Sequence, residues 1–170
     1  MAIEVFQVEW TKLLLFDQAR MQSSAQEGGI YIEARETSRG KELYYIGKAK
    51  EFYGRSRTHQ NYASHELNKT EQKKRFITFG LITSFEKSRL SHEITPEQLK
   101  EIESFFINYY RPAGNNAITK KGYKGHPIIV FNTGKRGFMS KTVTSCPDLV
   151  KFLKTNLTTQ TRATTSFSLF

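Results

Sequence analysis

Residues 29–59, GIYIEARETSRGKELYYIGKAKEFYGRSRTH, constrain the fold most, because their pattern changes period halfway along. Gly29 to Arg35 and Glu42 to Ile46 alternate apolar and polar residues, with a turn-rich Thr37-Ser38-Arg39-Gly40 between them. That pattern predicts a two-stranded hairpin. After Gly47 the pattern becomes helical to about Tyr62, which puts Arg55 and His59 four apart on one face. Two strand tyrosines (Tyr31 and Tyr45), an arginine and a histidine are thereby gathered by local structure alone. Such a set suits phosphate chemistry.

The charge balance points the same way. The 170 residues carry a net charge of +10, and the pI is about 9.7. Nucleic acid leads the list of anionic partners for such a chain, although a basic surface that merely confers solubility has the same composition. Apolar residues make up 38 %, enough for the core of one domain with extensions. The single cysteine, Cys146, has no partner for an internal disulfide, and no Cys/His cluster has zinc-site spacing. A cytoplasmic, reducing setting is expected. The N-terminus has acids at once and is not patterned as a signal peptide. No stretch approaches the roughly 18 apolar residues of a membrane span, so no membrane partner is expected.

Along the chain, residues 3–9 alternate weakly and fit a short strand or an extended lead-in. Trp10 to about Ala25 predicts a helix, from Leu13, Leu14, Phe16 and Met21. Residues 64–75 predict a polar loop ending in Lys73-Lys74-Arg75, with even weight on a solvated run and a nucleic-acid contact. Phe76 to Phe85 is β-branched and aromatic and predicts a buried central strand. Thr95-Pro96-Glu97-Gln98 predicts a capping box with proline at the first helical position, opening a helix that Pro112 stops. Its expected apolar stripe is Leu99, Ile102, Phe106 and Tyr109, with Glu97, Lys100 and Glu101 on the wet side. Glu103 breaks the pattern, since its helical neighbours are Leu99, Phe106 and Ile107. A carboxylate beside a core seam needs a partner or a metal. The bland account is a structural ion pair with an arginine; the functional account is a site carboxylate. Farther on, the sequence predicts a basic glycine loop at 119–126, a strand from Pro127 to Phe131, a basic turn at 132–137, a strand from Phe138 to Val143 and a short helix after Pro147. A polar tail at 157–170 is expected to be loosely attached.

These residues resemble the GIY-YIG nuclease superfamily. Its two triplets stand literally as Gly29-Ile30-Tyr31 and Tyr45-Ile46-Gly47. Arg55 follows Gly47 by eight residues and His59 follows Arg55 by four. Glu103 stands nine before Pro112, with Asn115 three after it. The match covers residues 29–115. It implies an α+β fold with a small three-stranded antiparallel sheet flanked by helices, here carrying a basic C-terminal β/α extension. The expected organisation is a helical lead-in at 1–27, a nuclease core at 28–116, the extension at 117–156 and the tail at 157–170.

The resemblance also implies metal-dependent phosphodiester hydrolysis in DNA, with RNA or branched nucleic acid as the alternative substrate. Glu103 would hold one Mg²⁺ or Mn²⁺. Arg55 would clamp the scissile phosphate. Tyr31 would deprotonate the attacking water, its pKa of about 10 lowered by Lys48, Arg55 and the metal. Tyr45 would position water or phosphate, and His59 would accept or orient a tyrosine proton. Gly29, Gly47 and Asn115 would be structural. Lys48, Lys121, Lys124, Lys135 and Arg136 would contact the substrate backbone. One such site cuts one strand, which leaves monomer and homodimer both open.

Taken singly, strand tyrosines are packing residues and a helix arginine or histidine is a surface residue; the joint spacing is what favours a site. His65, His92 and His126 lack that support and are expected at the surface. Two rivals remain: a catalytically silent nucleic-acid-binding module, and an interaction protein whose basic face meets an acidic protein.

Overall fold

The computed structural model describes residues 3–55, 75–86, 89–91, 93–115, 122–146 and 148–149. Eight strands form one sheet: β1 (Glu4–Trp10), β2 (Leu14–Leu15), β3 (Gly29–Thr37), β4 (Gly40–Ala49), β5 (Arg75–Glu86), β6 (Arg89–Ser91), β7 (Ile128–Gly134) and β8 (Thr142–Thr144). Among the described residues, α1 (Phe16–Ala19), α2, whose described part is 52–55, and α3 (Pro96–Tyr110) accompany them, and residues 148–149 are also helical. The strand order is β4-β3-β5-β1-β7-β8, with β2 and β6 also paired to β5. The β1–β7 pair is parallel and the others are antiparallel.

This architecture corrects the expected fold class. The sheet is large and mixed, not a small three-stranded sheet flanked by helices. The hairpin and the apolar run do pair as β4-β3-β5, but the sheet continues across the other edge of β5. There the alternation Phe6, Val8 and Trp10 is wholly buried, so residues 4–10 form a strand with a deep core face. Trp10 belongs to that strand and not to a helix. The helix expected from Trp10 to Ala25 is replaced by β2, α1 and a 3₁₀ turn at Ser23–Gln26. Met21, counted in its stripe, is 87 % exposed. The C-terminal extension supplies β7 beside β1, registered from Glu4 opposite Ile128 to Trp10 opposite Gly134. The indole N–H of Trp10 donates to the Asn132 Oδ1 at 2.8 Å, fixing that register inside the core.

At the middle of β5, Gly80 lies opposite Ile30 on one side and Trp10 on the other. A Cβ there would fall 2.7 Å from Val8 and 2.8 Å from the Trp10 ring. The glycine inside this strand is therefore what lets β1 side chains cross it.

Two apolar clusters cover the two faces. On one, Ile30, Ile32 and Ile46 pack with Phe6, Val8, Trp10, Ile128, Val130 and the α3 residues Ile102, Phe105, Phe106 and Ile107. On the other, Tyr31 and Ala49 pack with Phe16, Ala19, Phe52, Ile77 and Phe79. Each fully buried large apolar side chain contributes roughly 1.5–3 kcal/mol relative to exposure. The α3 stripe differs from expectation at Tyr109, which is 48 % exposed, while Phe105 and Ile107 are buried. Its start is as expected: the Thr95 hydroxyl accepts from the Gln98 N–H, and the Gln98 side chain accepts from the Thr95 N–H. Arg111 closes α3 in the left-handed region (φ 49°), and Pro112 follows.

Candidate functional site

The site lies at the outer edge of β4, the last strand in the order of the described sheet. Tyr31 on β3 is directly opposite Gly47 on β4, and Glu33 is opposite Tyr45. Their side chains share one face because successive strand residues alternate. Tyr31 is 2 % exposed. Its ring lies across Gly47, in the space a Cβ would need, so the last glycine of one triplet makes room for the tyrosine of the other. The Tyr31 ring centroid is 6.0 Å from that of Tyr45 and 6.5 Å from that of Phe52, which stacks at 4.5 Å on Phe79. The aromatic wall thus locks Tyr31 in place.

Arg55, exposed at the end of the described part of α2, donates a hydrogen bond to the Tyr31 hydroxyl. A second hydrogen bond joins Tyr31 and Tyr45. Burial, then the neighbouring Tyr45, push the Tyr31 phenol far above its ordinary range; the Arg55 hydrogen bond offsets only part of this. Arg55 acts to lower Tyr31, in the direction expected of a nearby cation, but desolvation outweighs it. Burial and the Glu103 charge likewise raise Tyr45. Burial acts to lower Arg55, but the Tyr31 hydrogen bond and the surrounding Tyr45 and Glu103 more than reverse it. The guanidinium stays charged.

From the opposite face, α3 brings Glu103 to the same edge. The Lys48 backbone N–H donates to Glu103 Oε1 at 3.1 Å, and the Lys48 ammonium pairs with Glu103 Oε2. The partner is a lysine, not the arginine of the bland expectation. Two residues earlier, Ile46 bonds through both its N–H and its C=O to the buried Asn115 side chain, each at 2.9 Å. The outward-facing amides of an edge strand need partners; here Asn115 and Glu103 provide them. The Asn115 side chain thus ties the segment after α3 to the edge of β4.

Of these groups, Arg55, Glu103 and Lys48 line a cleft of about 900 Å³, together with Lys50, Gly28 and Gly29. Gly29 (φ +150°) sits so close to the Gly80 carbonyl that a side chain has no room. Glu27, Glu51 and Lys50 also line the cleft; they flank the triplets but break no pattern, and so carried no sequence signal.

As to metal, no group of three or more His, Cys, Asp or Glu side chains gathers among the described residues. One half-buried carboxylate, oriented by a backbone amide, fits a hard cation that keeps most of its water, as Mg²⁺ does; it does not fit an all-protein cage.

Lys124, Lys135 and Arg136, the other expected substrate contacts among the described residues, are not part of the lining of this cleft. Lys124 and Lys135 are exposed away from its lining, and the Arg136 guanidinium donates to the Met139 carbonyl at 3.4 Å. His59 and Lys121 lie outside the described residues, as do Lys73-Lys74 and the 157–170 tail. Glu101, expected on the wet side, instead accepts from the Tyr123 hydroxyl at 3.0 Å and from the His126 backbone N–H, with the His126 Nδ1 at 3.2 Å. Burial alone would raise the Glu101 carboxyl; these hydrogen bonds outweigh it and hold the group below its ordinary value. No family model, no curated protein and no solved structure matches this chain.

Proposed function

We propose that the protein is a divalent-metal-dependent endonuclease that hydrolyses phosphodiester bonds in DNA. The observation that carries the reading is convergence. Tyr31, Tyr45, Arg55 and Glu103 come from four separate elements, yet Arg55 is bonded to Tyr31, Tyr31 is bonded to Tyr45, and the Glu103 charge acts on both Tyr45 and Arg55. Packing alone gives no reason to gather an arginine and a carboxylate that line one cleft together with two phenols behind the arginine. The two triplets that resemble the GIY-YIG superfamily place the first two of these residues, and the net charge of +10 suits a polyanionic substrate.

In this reading Arg55 pairs with the scissile phosphate, where a planar guanidinium meets two oxygens at once. Lys48 and Lys50 add positive charge along the cleft wall. Tyr31 stays a neutral phenol at physiological pH, so it does not act as a standing phenolate base. It orients the attacking water by hydrogen bonding, and the proton which that water loses on attack passes to bulk solvent. Glu103 would hold the metal, and the metal, when bound, stabilises charge on the phosphate and on the leaving oxygen.

The test is cleavage of supercoiled plasmid in Mg²⁺, Mn²⁺ or EDTA by the wild type, Arg55→Ala and Glu103→Gln, with DNA binding measured separately. Metal-dependent cutting by the wild type, lost in Glu103→Gln while binding persists, is expected. One observation favours a second reading, a silent phosphate-binding module: Lys48 already engages both Glu103 oxygens. That module binds DNA equally well in EDTA and cuts nothing.

A further inference from the structure

One residue grips both oxygens of Glu103 by two different groups. The Lys48 amide N–H holds Oε1, and the Lys48 ammonium sits on Oε2. The two groups differ in freedom. The amide belongs to β4, whose backbone is fixed by the ladder to β3, with Ile30 opposite Lys48. The ammonium ends a flexible stem whose side chain is 35 % exposed, against 16 % for Glu103. The amide can therefore only orient the carboxylate, whereas the ammonium can leave it.

We propose that the Lys48 ammonium is an internal stand-in for the metal: it neutralises Glu103 in the free protein, competes with the divalent cation for Oε2, and swings away when the cation binds. This rests on the reading of Glu103 as the metal-holding carboxylate. The physical ground is that a half-buried carboxylate left without a counter-charge is costly. An ammonium within contact distance of the same oxygen also repels a dication. Both effects keep the empty site closed and its cation affinity low. The displaced ammonium has a destination, since it and Arg55 line one cleft and both suit phosphate oxygens. Substrate phosphate would then help to free Glu103, so that loading with nucleic acid and loading with metal favour each other.

The test is Mn²⁺ binding to the full-length protein, by calorimetry and by loss of the free Mn²⁺ paramagnetic resonance signal, without nucleic acid. Lys48→Met removes the competing charge and keeps the stem, so Mn²⁺ affinity should rise about tenfold. Lys48→Arg keeps the charge and grips a carboxylate with two donors, so affinity should fall below wild type. Opposite signs from two substitutions at one position are not the signature of a merely structural residue. Should Lys48→Met fail to fold by circular dichroism, Lys48→Gln takes its place with the same expected sign. Glu103→Gln should abolish the high-affinity Mn²⁺ site. If Glu103→Gln binds Mn²⁺ as the neutral variant does, the reading of Glu103 itself is wrong. If Glu103→Gln loses the site but Lys48→Met binds within twofold of wild type, or more weakly, the stand-in is wrong and the metal carboxylate stands.

Discussion

At Gly47 the missing side chain is a requirement of the site. A Cβ there would lie 2.5 Å from both Cζ and the hydroxyl of Tyr31, whose ring is held from behind by Phe52. Gly47→Ala must therefore push Tyr31 off Arg55 or spread the strands. A loss of roughly 1–3 kcal/mol is expected, seen as a fall in melting temperature of several degrees for a chain of this size, together with lost cleavage. Gly54→Ala is the control: it lies in helical α2, its nearest Cβ neighbour is 3.6 Å away, and it should be neutral or slightly stabilising. The residue scale was the most legible in the sequence. Tyr31, Tyr45, Arg55, Glu103 and Asn115 stood out by spacing, and the structure brings them to one strand edge. What spacing does not carry is solvation: the Tyr31 phenol is raised because Phe52, Phe79 and Ala49 surround it, and that shell comes from three elements.

At the element scale, the apolar pattern located the hairpin, β5 and α3, since each has a strong local signature: alternation, a β-branched run, a capping box. It misplaced residues 10–25 because Leu13, Leu14, Phe16 and Met21 mimic a helical stripe, while Trp10 completes the alternation of β1. It also underestimated the sheet. Whether β1 and β7 pair depends on contacts between residues more than a hundred positions apart, such as the Trp10–Asn132 hydrogen bond, and no window on the sequence contains both. A physical consequence follows for the expected 28–116 core. Without β1, β7 and β8, one side of β5 loses its partner, and Ile30, Ile32 and Ile102 lose Phe6, Val8, Trp10, Ile128 and Val130. A 28–116 fragment should therefore show no cooperative thermal transition; a sharp melt by circular dichroism would show that the additional strands are dispensable.

For the whole molecule, the charge and the tyrosines set distinct pH limits. Burial raises Tyr31, Tyr45, Tyr110 and Tyr123 above the ordinary 10.0. A raised native value means that stability is full below pH 10 and is lost as pH climbs above it, because the unfolded chain ionises first. Glu101 has the opposite sign: its contribution is present above its ordinary 4.5 and fades as pH falls below that. Melting temperature should thus show an alkaline decline beginning near pH 10, and Tyr31→Phe should blunt it. Among the described residues no helix is long and apolar enough to cross a membrane. The strands of the described residues form one sheet, and its β4 edge is met by Arg55 from one face and by Glu103 from the other. The most direct test of their joint action is a double-mutant cycle on plasmid cleavage in Mg²⁺, with Arg55→Ala, Glu103→Gln and the pair together. If the groups act as one catalytic unit, each single substitution should cost about a thousandfold or more and the double should cost little beyond either. Additive losses, or wild-type protein that cuts no DNA with any divalent metal, would contradict it.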